Sequence, residues 1–218
     1  MLRKGALRLG GPFKLKSGRE SPYFINFAAL IDGESLTVLK RVFASFIHML
    51  MSERRLEWVD FLFGPAYKGI TIAALACVGL NELYGVNVRY LYDRKEQKMY
   101  GDIPMESVIV GAGFLKPDSK ILLVDDILTT GLTKYEIVKR LELLGRGRVV
   151  GVVVGVDRQE LSDERVGAAE QISKKLGVKV YSILNALRIF QSIKDRLSED
   201  EIRMWIEYYN KYGSVKLT

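Results

Sequence analysis

Cysteine and histidine are almost absent from this sequence, which has one of each: Cys77 and His48. A single thiol excludes a disulfide or a multi-thiolate zinc site within one chain, and it fits a reducing compartment. A single imidazole excludes a metal site built from several histidines, and a lone histidine on a helix is most often structural or exposed. We therefore expect a cytoplasmic protein whose chemistry depends neither on zinc nor on histidine.

Long hydrophobic runs are absent as well. No apolar stretch reaches the roughly 18 residues that a membrane-spanning helix requires. The N-terminal segment MLRKGALRLGG carries charges where a secretory signal peptide is apolar, so we expect neither a targeting segment nor a membrane span. A chain of 218 residues can bury a sizeable core, and we expect one domain over residues 1–218.

Positive charge is in excess, with 33 Lys and Arg against 26 Asp and Glu and a net charge of +7. Such an excess suits a polyanionic partner, either a nucleic acid or a small, multiply phosphorylated substrate. The basic residues are spread along the chain beside many acids, without an arginine-rich tail, a helix-turn-helix pattern or an RNP-type aromatic strand. We therefore favour the phosphorylated substrate and expect no dedicated nucleic-acid binding.

The most informative stretch covers residues 121–133 and reads ILLVDDILTTGLT. Its apolar start predicts a buried strand, which we expect to end at the adjacent carboxylates Asp125 and Asp126. The threonines and glycine that follow predict a loop, and apolar residues from Ile137 onward predict a helix that begins there. Backbone N–H groups and hydroxyls in the loop favour an anion, whereas two carboxylates favour hydroxyls or a magnesium ion. A sugar phosphate satisfies both.

Further strands are predicted at residues 58–63, 87–92, 149–156 and 178–184, and they alternate with helical patterns. This alternation predicts an α/β fold with a parallel sheet of about five strands, flanked by helices and with ligand-binding loops at the carboxyl ends of the strands. Residues 1–30 alternate polar and apolar positions between glycines and prolines, and we place them in a small N-terminal hood.

Two loops carry additional candidate residues. The segment GPAYKGI follows the strand at 58–63. Its Gly64 and Gly69 permit close approach of the backbone to a ligand, and its Lys68 adds a positive charge. The spacing of its glycines and lysine is not that of a P-loop. DRKEQKMYGD, at residues 93–102, concentrates cations without a helical stripe. We expect a mobile loop at about 93–106 that closes over an anion with several charges.

The hood contains a third candidate segment, FKLKSGRESPYFIN, at residues 13–26. Lys16 and Arg19 lie in a turn around Gly18, and Tyr23 and Phe24 follow. Such a cluster could bind an anionic, planar ligand, or it could be a basic surface turn.

Together these segments resemble the motifs of the orotate phosphoribosyltransferase family, which belongs to the type I phosphoribosyltransferases. The resemblance covers residues 5 to about 188. The acidic pair and its loop resemble the motif that holds the ribose 5-phosphate of phosphoribosyl pyrophosphate (PRPP). GPAYKGI resembles the pyrophosphate loop, RKEQK resembles the catalytic loop, and the hood segment resembles the motif that lines the pyrimidine side.

The resemblance implies the type I phosphoribosyltransferase fold, with a central parallel sheet, a small hood and a contribution of C-terminal elements to that hood. It implies transfer of the phosphoribosyl group of PRPP to orotate, which gives orotidine 5'-monophosphate and pyrophosphate in pyrimidine biosynthesis. It also implies Mg2+ held mainly by the substrate rather than by direct protein ligands. The family resemblance further implies a homodimer whose subunits share their active sites.

The resemblance assigns catalytic roles to Lys98 and Asp125. It assigns PRPP binding to residues of the hood, the two loops and the acidic motif: Lys16, Tyr67, Lys68, Arg94, Lys95, Lys98, Tyr100, Asp125, Asp126, Ile127, Leu128, Thr129, Thr130, Gly131, Leu132 and Thr133. It assigns orotate binding to a smaller set: Lys16, Phe24, Ile25, Thr129 and Arg158. Arginine suits position 158 because its planar guanidinium can donate two parallel hydrogen bonds to a carboxylate.

The sequence departs from the family pattern at Tyr100, where a histidine is usual. Tyrosine can donate a hydrogen bond but carries no positive charge near neutral pH. The N-terminal helix that commonly precedes the hood in this family is expected to be missing or very short. The resemblance of GPAYKGI to the pyrophosphate loop also implies a cis peptide near Ala66 and Tyr67. Two alternatives stay open: a phosphoribosyltransferase for another nucleobase, and a non-catalytic, ligand-sensing regulator of the same fold that binds nucleic acid.

Overall fold

The computed structural model describes residues 1–15, 17–94, 108–128, 132–162 and 164–217, and for residues 132–134 it describes the backbone only. The N-terminal part forms an antiparallel hairpin of strands β1 (Leu7–Lys14) and β2 (Glu20–Ile25). A single 3-10 turn, Leu2–Lys4, precedes the hairpin. The hairpin corresponds to the predicted hood.

Within the described residues, the central sheet has six strands: β3 (Phe61–Gly64), β4 (Arg89–Asp93), β5 (Ile109–Val110), β6 (Lys120–Leu128), β7 (Arg148–Asp157) and β8 (Lys179–Asn185). Their order across the sheet is β5-β4-β3-β6-β7-β8. All neighbours pair in parallel except β5, which pairs with β4 in the antiparallel direction. The carboxyl end of β6 is therefore flanked by the carboxyl ends of β3 and β7.

Helices connect the strands and cover the sheet: α1 (Gly33–Ser52), α2 (Lys68–Tyr84), α3 (Leu132–Leu143), α4 (Ala168–Leu176), α5 (Ala186–Ile193) and α6 (Glu199–Tyr212). Asp32 caps α1 by accepting a hydrogen bond from Ser35 N, and Gly85 caps the carboxyl end of α2. A capping box between Ser198 and Glu201 starts α6. None of the helices described is long and apolar enough to cross a membrane.

The core consists of two hydrophobic clusters, one on each face of the sheet. Leu122 and Val124 of β6 belong to the cluster that also contains residues of α1, α2, α5, α6 and the hood. Ile121 and Leu123 belong to the second cluster, which contains residues of α3 and α4. Successive strand residues point to opposite faces, so burial of both faces explains the almost continuous apolar runs of the central strands.

The predicted α/β fold is confirmed, and two details of it require correction. The sequence predicts that the strand of the acidic motif ends at Asp125, whereas β6 continues to Leu128 because its parallel ladder with β7 extends to Asp157. The predicted parallel sheet of about five strands is present, but β5 adds a sixth strand at its edge. β5 has only two residues, too few to produce a recognisable alternation.

Close packing of α1 on α2 provides a test of the fold. A Cβ atom on Gly79 of α2 would lie 2.7 Å from Ala44 Cβ and 2.8 Å from Lys40 O in α1. We expect Gly79→Ala to lower the melting temperature by roughly 2–4 °C, because overpacking outweighs the better helix propensity of alanine by about 1 kcal/mol. Gly33→Ala is the control, since no atom lies within 4 Å of the added methyl group. An unchanged or higher melting temperature for Gly79→Ala would contradict this packing.

Candidate active site

The carboxyl ends of β3, β6 and β7 meet at one edge of the sheet, because these strands are parallel neighbours. Asp125 and Asp126 lie near the end of β6, residues 65–68 follow β3, and Arg158 follows β7. α3 begins at Leu132, shortly after β6 ends. The structure therefore brings together three of the segments that the sequence predicts to carry the site.

Asp125 and Asp126 are buried, with 8% and 9% of their surface exposed. Backbone N–H groups bond one oxygen of each: Asp126 N donates to Asp125 Oδ1 at 2.9 Å, and Ile127 N donates to Asp126 Oδ1 at 2.8 Å. Lys68 Nζ donates to Asp126 Oδ2 at 2.9 Å. Buried carboxylates need hydrogen bonds or an opposite charge, so Lys68 contributes directly to the stability of the acidic pair.

The turn between β3 and α2 places Lys68 beside the acidic pair. Gly64 and Gly69 approach each other so closely that a Cβ atom on Gly64 would lie 2.1 Å from Gly69 O. Only glycine permits this approach, and it allows α2 to begin at Lys68 itself. The side chain of Lys68 is about half exposed, so its charge faces both Asp126 and the solvent side of the edge.

Asp93, at the end of β4, holds the same turn from the other side. Asp93 is buried, and its Oδ1 accepts a hydrogen bond from Ala66 N at 2.7 Å. Its Oδ2 lies 4.0 Å from Arg140 Nη1 of α3. The peptide bond between Ala66 and Tyr67 is cis, which confirms the sequence-based expectation, and Tyr67 is 63% exposed.

Arg158 joins the end of the sheet to the hood. It is 3% exposed, and its Nε donates to Glu160 Oε1 at 2.7 Å. Its Nη2 donates to Ser21 Oγ at 3.0 Å, and its guanidinium carbon lies 4.2 Å from the centre of the Tyr23 ring. Because Ser21 and Tyr23 belong to β2, these contacts fix the predicted pyrimidine side of the site against the hood.

Phe24 and Ile25 are neighbours in β2 but have different environments. Phe24 is half-buried, and its ring centre lies 6.0 Å from that of Phe13. Ile25 is 4% exposed and packs in the hydrophobic core. Its side chain is therefore not available to orotate, and only its backbone could make the predicted contact.

The remaining predicted site residues are only partly described. Arg94 is exposed, Ile127 is half-buried, Leu128 is fully buried, and Leu132 and Thr133 form the start of α3. The others lie outside the described residues: Lys16, Lys95, Lys98, Tyr100, Thr129, Thr130 and Gly131. Most of the predicted mobile loop and phosphate loop is among them, so their roles stay predictions.

Two carboxylates at this edge are absent from the sequence-based prediction of the site. Asp93 ends a strand at the carboxyl edge, which is a signal that could have identified it. Glu160 accepts a hydrogen bond from Tyr208, which is 48 residues away in the chain. No local pattern indicates such a contact.

The fold has a close counterpart among solved structures. The crystal structure of orotate phosphoribosyltransferase from Francisella tularensis superposes with a TM-score of 0.80 at 34% identity, and the match covers 98% of this chain and 96% of that one. Parallel strands, hood and acidic edge thus define the protein as a type I phosphoribosyltransferase by fold.

Relatives in sequence define the family more narrowly. Orotate phosphoribosyltransferase 2 of Saccharomyces cerevisiae is 39% identical over 216 residues, which cover 95% of this chain and 89% of the yeast protein. Orotate phosphoribosyltransferase of Bifidobacterium animalis subsp. lactis is 34% identical over 224 residues, which cover 98% and 95% of the two chains. The chain belongs to the orotate phosphoribosyltransferase family, as its motifs predict. No protein-family model matches the sequence.

The contact between Asp93 and Ala66 can be tested without reference to activity. Asp93→Ala removes the acceptor of Ala66 N–H, so we expect hydrogen exchange of a peptide that covers residues 64–68 to become about tenfold faster. Asp93→Asn is the matched control, because its amide oxygen can still accept the bond. The exchange rates are measured by mass spectrometry. Equal rates in wild type and Asp93→Ala would show that Asp93 does not hold the turn.

Proposed function

We propose that this protein transfers the phosphoribosyl group of PRPP to orotate, with orotidine 5'-monophosphate and pyrophosphate as products, in the biosynthesis of UMP. The observation that carries this proposal is the contact of Lys68 with the buried Asp126 at the carboxyl edge of the sheet, in a chain of this family. A cation and two carboxylates at one edge match a substrate that combines phosphates with ribose hydroxyls.

The acidic pair acts on the ribose in this proposal. When the bond between the anomeric carbon and pyrophosphate breaks ahead of attack by the base, positive charge develops on the ribose. Asp125 and Asp126 are held by backbone N–H groups, so their negative charge is in place before this happens. They accept hydrogen bonds from the ribose hydroxyls and stabilise the developing charge.

Lys68 acts on the pyrophosphate. Its ammonium group has three donor hydrogens, so it can bond Asp126 and a phosphate oxygen at the same time. The family resemblance adds Lys95, Lys98 and Tyr100 as a lid over the pyrophosphate, with Tyr67 and Arg94 beside it. It also adds the phosphate loop from Thr129 to Thr133, which would hold the 5-phosphate.

Arg158 acts on the base. The carboxylate of orotate requires a fixed donor pair, and the guanidinium of Arg158 is held by Glu160 and Ser21 in a single orientation. Phe24 and the backbone of Ile25 lie in the neighbouring hood strand, and Lys16 and Thr129 complete the set by resemblance. Uracil and the purines lack this carboxylate, so Arg158 favours orotate over them.

Mg2+ fits this site as an ion that arrives with the substrate. Among residues 1–15, 17–94, 108–128, 132–162 and 164–217, no group of three or more His, Cys, Asp or Glu side chains is arranged to hold a metal ion. Asp125 and Asp126 still offer the oxygen atoms that Mg2+ prefers. Held mainly by the oxygens of PRPP, the ion would neutralise charge on the departing pyrophosphate.

We also infer a cytoplasmic homodimer with shared active sites. The dimer follows from the family resemblance, in which residues matching Arg94, Lys98 and Tyr100 reach into the site of the other subunit. The cytoplasmic location rests on the single thiol, Cys77, because one cysteine excludes a disulfide within the chain.

A panel of bases tests the proposed function. We expect release of pyrophosphate from PRPP and Mg2+ to depend on orotate, with rates at least about a hundredfold above those for uracil or purines. Asp125→Asn should lower the orotate-dependent rate by about a hundredfold, because a developing charge loses its preorganised partner. Asp118→Asn, the same change at an exposed position before the other end of β6, is the control and should keep the wild-type rate.

Two results of this panel would contradict the proposal. Turnover of uracil or a purine in place of orotate would make the protein a phosphoribosyltransferase for another base. No pyrophosphate release with any base, together with nucleic-acid binding that weakens steeply with salt, would indicate the non-catalytic regulator.

A further inference from the structure

A buried polar cluster at the end of β7 has contacts that the reaction alone does not explain. It consists of Arg158, Glu160, Tyr208, Arg19 and Ser21, and we call it the Arg158 cluster. Glu160 is 6% exposed and Tyr208 is 5% exposed. Burial of charged groups costs free energy unless each is paired and hydrogen-bonded, so the arrangement of these partners is constrained.

Glu160 is bonded through both of its carboxylate oxygens. Oε1 accepts hydrogen bonds from Arg158 Nε at 2.7 Å and from Tyr208 OH at 2.8 Å. Oε2 accepts from Arg19 Nη1 at 3.4 Å, and Arg19 Nη2 donates to Leu161 O at 2.9 Å. Glu160 therefore connects the end of β7 with the hood and with α6.

Tyr208 keeps its donor hydrogen at physiological pH. Burial, together with the negative charge of Glu160, raises the pKa of Tyr208 to about 12. The hydroxyl is therefore neutral at that pH and can donate to Glu160.

α6 also supports Arg158 through a second layer of aromatic side chains. Tyr209 OH donates to Arg158 O at 2.7 Å, and the hydroxyls of Tyr209 and Tyr23 lie 2.6 Å apart. The Trp205 ring stacks on the Tyr23 ring with centres 4.2 Å apart. The guanidinium of Arg158 approaches the centre of the same ring to 4.2 Å, so Trp205 and Arg158 must occupy opposite faces of Tyr23.

The backbone after Arg158 is tied to the end of α6 as well. Leu161 N donates to Tyr212 O at 2.8 Å, and Ser214 N donates to Gln159 O at 2.8 Å. Glu160 forms an antiparallel bridge with Gly213 between these two bonds. The position of Glu160 therefore depends on α6 through both its side chain and its backbone.

Positive charges exceed negative ones among the members of the Arg158 cluster, and the bonds of Arg158 to Glu160 and Ser21 leave one of its nitrogens unused. Arg158 and Arg19 carry two positive charges against the one negative charge of Glu160. The bonds to Glu160 and Ser21 use Nε and Nη2 of Arg158, and Nη1 takes part in neither. A guanidinium anchored along its Nε edge presents its remaining donors in a fixed direction, which suits a carboxylate.

We propose that Glu160, held by Tyr208 of α6, is a positioning residue that orients the guanidinium of Arg158 for the carboxylate of orotate. This inference rests on the proposed function, in which Arg158 binds that carboxylate. It gives the C-terminal helix a role in base recognition: α6 fixes Glu160, Glu160 fixes Arg158, and Arg158 selects the base.

Steady-state kinetics of four single variants test this proposal. Arg158→Lys is the reference: it loses the planar guanidinium with its paired N–H donors, so it should raise KM for orotate strongly. Glu160→Gln should raise KM for orotate about tenfold and leave KM for PRPP within about twofold, because a charge-assisted bond to the guanidinium is lost. Tyr208→Phe should raise KM for orotate about threefold. Tyr212→Phe is the matched control on the same helix: it keeps the ring that lies 4.9 Å from the guanidinium carbon of Arg19 and removes a hydroxyl that takes no part in the bonds of Glu160 and Arg158 described above, so it should change neither KM.

A double variant separates positioning from general stability. In an Arg158→Lys background Glu160→Gln should have no further effect on KM for orotate, because the bond from Nε no longer exists. Thermal unfolding verifies that each variant is folded. If Glu160→Gln is unstable, KM for orotate is compared between wild type and Tyr208→Phe instead, because Tyr208→Phe keeps its ring in the core.

The possible failures are distinguishable. If Arg158→Lys raises KM for orotate but folded Glu160→Gln and Tyr208→Phe do not, the positioning role is overturned and the proposed function stands. An equal rise of both KM values, or additive effects in the double variant, also overturns it in favour of a purely structural role. If Arg158→Lys leaves KM for orotate unchanged, the assignment of Arg158 within the proposed function is itself wrong.

Discussion

Buried charge at the carboxyl edge of the sheet is the constraint on which the rest of the site depends. Two carboxylates near the end of β6 and one guanidinium after β7 belong to neighbouring strands, and each is buried and needs partners. β6 and β7 cannot supply all of these partners themselves. Lys68 comes from the start of α2, Ser21 from the hood, and Tyr208 from the C-terminal helix.

This need for partners explains why elements far apart in sequence converge on one edge. The turn after β3 is closed by two glycines and held by Asp93, so that α2 starts beside the acidic pair. The hood packs over the end of β7 through the Tyr23 ring, which separates Arg158 from Trp205. The carboxyl edge of the sheet, the hood and α6 are therefore joined by direct contacts.

Local patterns in the sequence account for the fold and for the position of the acidic pair and Lys68 at the carboxyl edge of the sheet. Continuous apolar runs predict the central strands, and the acidic pair and Lys68 follow from their position after such runs. The same patterns place the end of β6 too early, because pairing with β7 keeps the polar residues Asp125 and Asp126 in the strand. Glu160 and Tyr208 have no local signal at all, since their contact depends on how α6 packs on the hood. Long-range polar contacts of this kind become visible only in three dimensions.

A crystal structure with orotidine 5'-monophosphate bound tests the central claim most directly, because this one molecule must reach both charged groups at the edge. The account predicts that its ribose hydroxyls lie within hydrogen-bond distance of Asp125 and Asp126. It also predicts that its base carboxylate bonds Arg158 while Nε of Arg158 remains on Glu160. A nucleotide whose carboxylate points away from Arg158, or whose ribose does not reach the acidic pair, would contradict the account.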